Sequence, residues 1–254
     1  MFITSTDHPS SASKCTACRD GHGLNFDFTM AFQPILDLHT GRPYAYEALV
    51  RGLQGESAAT VLALVNDGNR YQFDQSCRIK AIELASSLGL QDLPDCKLSI
   101  NFLPNAVYQP AACIQATLKA ARQCEFPLER LMFEVTEGEQ LDDPAHLVNI
   151  FEEYHRHGFT TAIDDFGAGY SGLNLLARFQ PHVLKLDMEL TRDIDSNVAR
   201  QAIVAGVVLM AEKLDILIIA EGIETQAECD LLSDLGVRYM QGYLFARPTI
   251  GKLV

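Results

Sequence analysis

Thr161-Ala-Ile-Asp-Asp-Phe-Gly-Ala-Gly-Tyr170 carries an apolar run into two adjacent carboxylates, Asp164 and Asp165, and then into two glycines and a helix start. A buried strand that ends on acids where the chain turns is what one stave of a parallel α/β barrel shows at its functional end. The other apolar runs end the same way. Tyr44-Ala-Tyr-Glu47 and Met132-Phe-Glu134 end on acids, and Leu98-Ser-Ile-Asn101 ends on an amide. Val183-Leu-Lys-Leu-Asp187 carries a base and an acid, and Leu217-Ile-Ile-Ala-Glu221 carries an acid. Many strands contributing to one polar centre is the barrel's way of building a site.

Outward from that stretch, short apolar runs alternate with helical ones. Strands are expected near 29–36, 44–50, 97–101, 131–135, 160–164, 183–187, 216–220 and 239–241. Helices are expected over 58–67, 74–88, 111–123, 145–157, 172–179, 196–214 and 226–235. Strand–helix alternation argues for parallel α/β architecture, and eight strand candidates favour a closed TIM (β/α)8 barrel over an open sheet. The first two strands break the rhythm. Only Asp37-Leu-His-Thr-Gly-Arg-Pro43 lies between them, too short for a helical crossover and suited to a hairpin. The fold expected is therefore a modified TIM barrel whose first strand is antiparallel. Residues 1–26, rich in Ser, Thr, Gly and His, read as a flexible N-terminal extension, and residues 27–254 as one domain.

Composition narrows the class. With 48% hydrophobic residues and 21% charged, the chain can bury a large core. A net charge of −13 argues against a protein that grips DNA or RNA polymers through a broad basic surface. Seven cysteines are an odd number and fit a reducing cytoplasm better than a disulfide framework. Met1–Ser10 lacks the basic start and apolar core of a signal peptide. No run approaches the roughly 18 apolar residues of a membrane span, so no membrane contact is expected.

The charges themselves point to metal. Glu47, Leu49 and Arg51 share one face of a strand, as do Lys185 and Asp187. Grouping Glu47, Glu134, Asp164, Asp165, Asp187 and Glu221 without cations would set like charges against one another, at roughly 4 kcal/mol per pair 4 Å apart for an effective dielectric of 20. Two divalent ions relieve that repulsion. An all-oxygen donor set that includes the Asn101 amide selects hard ions, Mg²⁺ or Mn²⁺, over zinc.

The ordered set of motifs is also specific. From about Phe32 to Pro248 the sequence resembles the EAL-domain cyclic di-GMP phosphodiesterases. The likeness rests on Phe32-Gln33-Pro34, Glu47-Ala48-Leu49 with Arg51, Asn101 followed by Pro104, and Glu134-Val-Thr-Glu137. It continues through Asp164-Asp165-Phe-Gly-Ala-Gly-Tyr170, Lys185-Leu-Asp187, Glu221-Gly-Ile-Glu224 and Gln241-Gly-Tyr243. The resemblance implies hydrolysis of cyclic di-GMP to linear pGpG with two Mg²⁺ or Mn²⁺ ions. Glu47, Asn101, Glu134 and Asp164 would hold one ion, and Asp164, Asp165 and Glu221 the other. Lys185 and Asp187 would orient the attacking water, with Glu221 the candidate general base. Gln33, Leu49, Arg51, Glu224 and Gln241 would contact or shape the dinucleotide site. Glu137 would couple the 164–172 loop to a homodimer interface. Ala168, Gly172 and His182 depart from the family pattern, but none of them removes a ligand.

Two alternatives stand beside this reading. A non-catalytic module could bind cyclic di-GMP or a protein and signal by conformation, but such modules have lost ligands and this chain keeps the set. Cys15-Thr-Ala-Cys18, with His22 nearby, could bind zinc or respond to redox change. It lacks a second pair at zinc spacing, and reads as incidental.

Overall fold

The computed structural model describes residues 24–136, 144–169 and 172–254. The extension expected over 1–26 and its Cys15, Cys18 and His22 therefore lie almost wholly outside the described residues, as does Glu137. Seven strands, β2 (Arg42–Arg51), β3 (Lys97–Asn101), β4 (Leu131–Thr136), β5 (Thr160–Phe166), β6 (Val183–Leu186), β7 (Leu217–Ala220) and β8 (Tyr239–Met240), pair parallel in that order. Strand β1 (Thr29–Asp37) closes the ring by pairing antiparallel with both β2 and β8. The expected modified TIM barrel is thus the observed fold. A ninth strand too short for the sequence to announce, β9 (Thr249–Ile250), adds antiparallel to β1.

The β1–β2 hairpin has a local cause. The Asp37 carboxylate accepts from the His39 N–H at 3.0 Å and the Thr40 hydroxyl at 3.1 Å, and Gly41 turns the chain at φ +67. Arg238 then grips the same carboxylate with two bonds, 2.7 and 2.6 Å, tying the hairpin to β8.

Helices α1 (Ala58–Leu62), α2 (Arg70–Ser87), α3 (Pro110–Gln123), α4 (Pro144–Arg156), α5 (Gly172–Arg178), α6 (Met188–Thr191), α7 (Val198–Lys213) and α8 (Gln226–Asp234) follow the strands. Their starts carry the expected chemistry: Ser57 and Asn197 cap α1 and α7, and Thr225 with Glu228 forms a capping box on α8. Helix α1 ends at Leu62 rather than Asp67. Beyond it, side chains of Asn66 and Asn69 bond to the backbone of Gly68, Asn66 and Leu64, offering the chain an alternative to helix. Asp187 is likewise not the end of a strand. It caps the short α6, its carboxylate accepting from the Glu189 N–H at 2.8 Å.

Two apolar layers hold the barrel. The larger lies between strands and helices, and includes ring contacts such as Phe133 tilted against Tyr154 and edge-on to Phe159. The smaller fills the barrel interior with Ile35, Ala45, Met132, Ala162, Val183 and Ile219, closed below by the Tyr44 and Tyr239 rings, 4.5 Å apart. Each interior residue stands two positions from a polar one: Ala45 from Glu47, Met132 from Glu134, Ala162 from Asp164, Val183 from Lys185, Ile219 from Glu221. Strand alternation stacks that polar layer directly on the apolar plug. In β1, which runs the other way, the order reverses and Gln33 precedes Ile35.

Candidate active site

At the C-terminal ends of the parallel strands a pocket of about 430 Å³ opens. Beneath its floor lies Lys185, which has no exposed surface. Its Nζ lies 2.7 Å from Glu221, 2.8 Å from Glu134, 3.0 Å from Asp164 and 3.4 Å from Glu47. Burial alone would push the lysine pKa down. Asp164, Glu134, Glu221 and Glu47 together outweigh it and hold the pKa well above its usual value. The acids feel the opposite balance. Burial, with repulsion from Glu47 and Asp164, raises Glu134 to about 8 although Lys185 offsets part of the shift. Burial and the nearby Asp164 also raise Glu221 well above the carboxylate range, and burial with Asp164 and Asp187 brings Asp165 to about 6.

Amides complete the centre. Asn101 donates to one Glu47 oxygen at 2.8 Å and Gln241 to the other at 2.9 Å. Gln33 is anchored to the Ala246 carbonyl at 3.0 Å. That Asp164 and Asp165 both line the pocket needs explaining, since neighbours on a strand point to opposite faces. β5 has one residue more than β6 between the pairs Ile163–Leu184 and Phe166–Leu186. Asp165 takes that extra place at φ +55, a left-handed conformation that Asp tolerates, and the bulge turns its carboxylate into the pocket.

The donor set fits hard divalent cations. Oxygens of Glu47, Glu134 and Asp164 lie within 4.8 Å of one another, and so do oxygens of Asp164, Asp165 and Glu221, so two groups share Asp164. Glu134 also keeps a fully buried Oε1 with no hydrogen-bond partner. A buried carboxylate oxygen left bare is costly, and a cation would satisfy it.

Of the residues singled out from sequence, Gln33, Glu47, Leu49, Asn101, Asp164 and Asp165 line the pocket, as do Asp187, Glu221, Glu224 and Gln241. Glu134 and Lys185 sit immediately beneath. Arg51 is not in the lining; its guanidinium donates to the Val50 carbonyl at 2.7 Å. Sequence reasoning missed Met188 and Arg192, and gave no role to Thr136 and Tyr243 within its motifs; all four line the pocket. Thr136 was legible two residues beyond Glu134, but Met188 opens the short α6, Arg192 and Tyr243 lie in turns, and none of the three had a periodic signal. His182 lies at the opposite end of β6, accepting from the Thr161 N–H at 3.0 Å and packing on His155, so it leaves the acid centre untouched.

Fold and pocket together define a barrel protein with an acidic centre, its oxygens grouped as a cation would need, at the top of its strands. The chain belongs to the EAL domain family, whose model matches residues 22–248. It is 31% identical over 220 residues to the blue light- and temperature-regulated antirepressor BluF of Escherichia coli, covering 87% of this chain and 54% of that protein. It is 31% identical to the cyclic di-GMP phosphodiesterase NbdA of Pseudomonas aeruginosa, covering 85% of this chain and 28% of that one. The chain thus spans about half or less of these curated relatives. Among solved structures, a standalone EAL protein of Vibrio cholerae in its cyclic di-GMP-bound form superposes with a TM-score of 0.87 at 52% identity, covering 91% of this chain and 96% of that one. Klebsiella pneumoniae BlrP1, in a manganese and cyclic di-GMP complex, gives 0.82 at 36% identity, covering 90% and 57%. Among the described residues no helix is long and apolar enough to cross a membrane.

Proposed function

We propose that this chain is a metal-dependent phosphodiesterase that opens cyclic di-GMP to linear pGpG. The observation that carries the reading is the pair of carboxylate groups sharing Asp164 above a buried lysine. Glu47, Asn101, Glu134 and Asp164 would hold one Mg²⁺ or Mn²⁺, and Asp164, Asp165 and Glu221 a second. Such paired ions lower the pKa of bound water from about 15.7 toward 7 and stabilise the oxygens of an in-line displacement. The chain's own residues do the rest. Lys185 balances the charge of four acids and, with Asp187, orients the water; Glu221 takes its proton. Asn101 and Gln241 fix the Glu47 carboxylate so that its orientation is set before substrate arrives. Gln33, Leu49 and Glu224 shape the wall against which the dinucleotide lies, and Arg51 reaches a phosphate by swinging from the Val50 carbonyl.

Support also comes from the relatives named as cyclic di-GMP phosphodiesterases and from neighbours solved with cyclic di-GMP bound. The name of BluF, an antirepressor, favours a second reading in which the domain binds and signals without cleaving. The complete donor set speaks for cleavage. A homodimer is part of the proposal, supported by the exposed apolar face of α7, where Val198 and Leu209 are each more than half exposed. We place the protein in the cytoplasm, in keeping with the free thiols of Cys77, Cys96, Cys113, Cys124 and Cys229. The test is incubation with cyclic di-GMP and Mg²⁺ or Mn²⁺, with an EDTA control, followed by chromatographic separation of nucleotides. Metal-dependent pGpG supports the enzyme; retained binding without product moves the reading to the signalling module.

A further inference from the structure

Among the described residues lining the pocket, six carry carboxylates and a single one, Arg192, carries a cation. Lys185 is buried beneath and fully engaged by four acids, and Arg51 is turned away to its own backbone. Arg192 follows α6 and reaches the rim, where its fork meets Glu224 through two bonds of 2.6 and 2.8 Å. Its backbone is braced while its head is not. The Arg192 carbonyl accepts from Arg200, the next N–H, of Asp193, donates to Glu228 at 2.9 Å, and the preceding Thr191 hydroxyl donates to the Glu221 carbonyl at 2.6 Å. The Arg192 side chain is 28% exposed and that of Glu224 43% exposed, so theirs is a weak surface pair that another oxyanion can displace.

A guanidinium fork that holds a carboxylate through two oxygens has the geometry to hold two oxygens of a phosphate. We propose that Arg192 is a substrate-binding residue, a cation of the outer wall, with Arg247 nearby over the Tyr243 ring, that takes a phosphate of the dinucleotide in exchange for Glu224. This rests on the cyclic di-GMP reading above. Beside the phosphate contact proposed for Arg51, it gives a dianionic substrate a second positive contact, one that already faces the pocket and is independent of bound metal.

The test is KM and kcat with cyclic di-GMP, and equilibrium binding of cyclic di-GMP in EDTA, for the wild type, Arg192→Ala, Arg192→Lys, Glu224→Ala and the double variant. Arg192→Ala should raise KM and Kd roughly tenfold or more, the range of a charge-assisted hydrogen bond, with kcat at saturation within about threefold. Arg192→Lys, which keeps the charge and most of the side-chain stem, should lose less and guards against a folding failure in the alanine variant. The loss should persist in the Glu224→Ala background. An unchanged KM and Kd would overturn the assignment. So would a loss that disappears without Glu224, because Arg192 would then act only by holding that carboxylate. A wild type that neither binds nor cleaves cyclic di-GMP refutes the underlying reading instead, and is distinguished by that control.

Discussion

Replacing Lys185 with methionine removes the one cation beneath four carboxylates while keeping an apolar stem of similar length. The ammonium has carboxylate oxygens at 2.7, 2.8, 3.0 and 3.4 Å and no solvent exposure. Breaking a buried ion pair from one side costs about 3–5 kcal/mol. Summing the repulsions of all four acids, at roughly 4 kcal/mol per close pair, would overshoot, because the acids take up protons instead of remaining charged. We therefore expect Lys185→Met to lose about 3–5 kcal/mol of stability in EDTA. The pH dependence has a definite sign. A carboxyl whose pKa is higher folded than unfolded adds stability at low pH that is lost as pH rises toward the folded value. Glu134 already stands near 8 with the lysine in place, and without it moves higher. Up to about 8 both proteins lose that stability together, so the deficit should widen as the pH rises past 8. Divalent metal should compensate, stabilising the variant more than the wild type by on the order of 1 kcal/mol or more at concentrations well above Kd. Urea unfolding followed by circular dichroism, with EDTA or Mg²⁺ at three pH values, measures all of this. A variant within about 1 kcal/mol of wild type in EDTA, with no pH trend, would refute the charge balance described here.

Other perturbations separate fold from site. Asp37→Ala should cost about 1–3 kcal/mol, since a buried acceptor of two turn donors and of Arg238 is lost, while kcat stays unchanged because Asp37 lies at the closed end of the barrel; chemical denaturation with parallel turnover assays checks both. Arg78→Ala should cost about 3–5 kcal/mol by leaving Asp74 buried beside Tyr154 without its cation, read from the unfolding midpoint. Gly242→Ala should displace the loop carrying Glu224 or prevent folding, because the added Cβ would fall within the backbone of Ile223; a soluble variant with native KM would count against that packing.

How much of this was legible depended on periodicity. Alternation along the strands placed Glu47, Glu134, Lys185 and Glu221 in one polar layer, and the seven-residue spacing of Asp37–Pro43 gave the antiparallel hairpin. The same rule fails at Asp164 and Asp165, where strict alternation would send one acid outward; the bulge that brings both inward is a tertiary fit to β6. It also fails at Arg51, which shares a strand face with Glu47 and Leu49 yet turns to its own backbone beyond the pocket. Arg192 and Tyr243 come from turns, whose side chains have no period to betray their direction. Arg78, buried among Phe102, Phe133 and Tyr154, reads in sequence as an ordinary polar helix residue. Only its four-residue spacing from Asp74 hints at the pair, and burial, which makes the pair matter, is set by distant strands.

Asp164 is the residue both candidate metal groups share, so the central claim meets its most direct test there. Turnover of cyclic di-GMP by Asp164→Asn at saturating Mg²⁺, measured together with the number of ions bound per chain, should fall to background with fewer than two ions retained. Near-wild-type turnover by that variant would contradict the two-ion account.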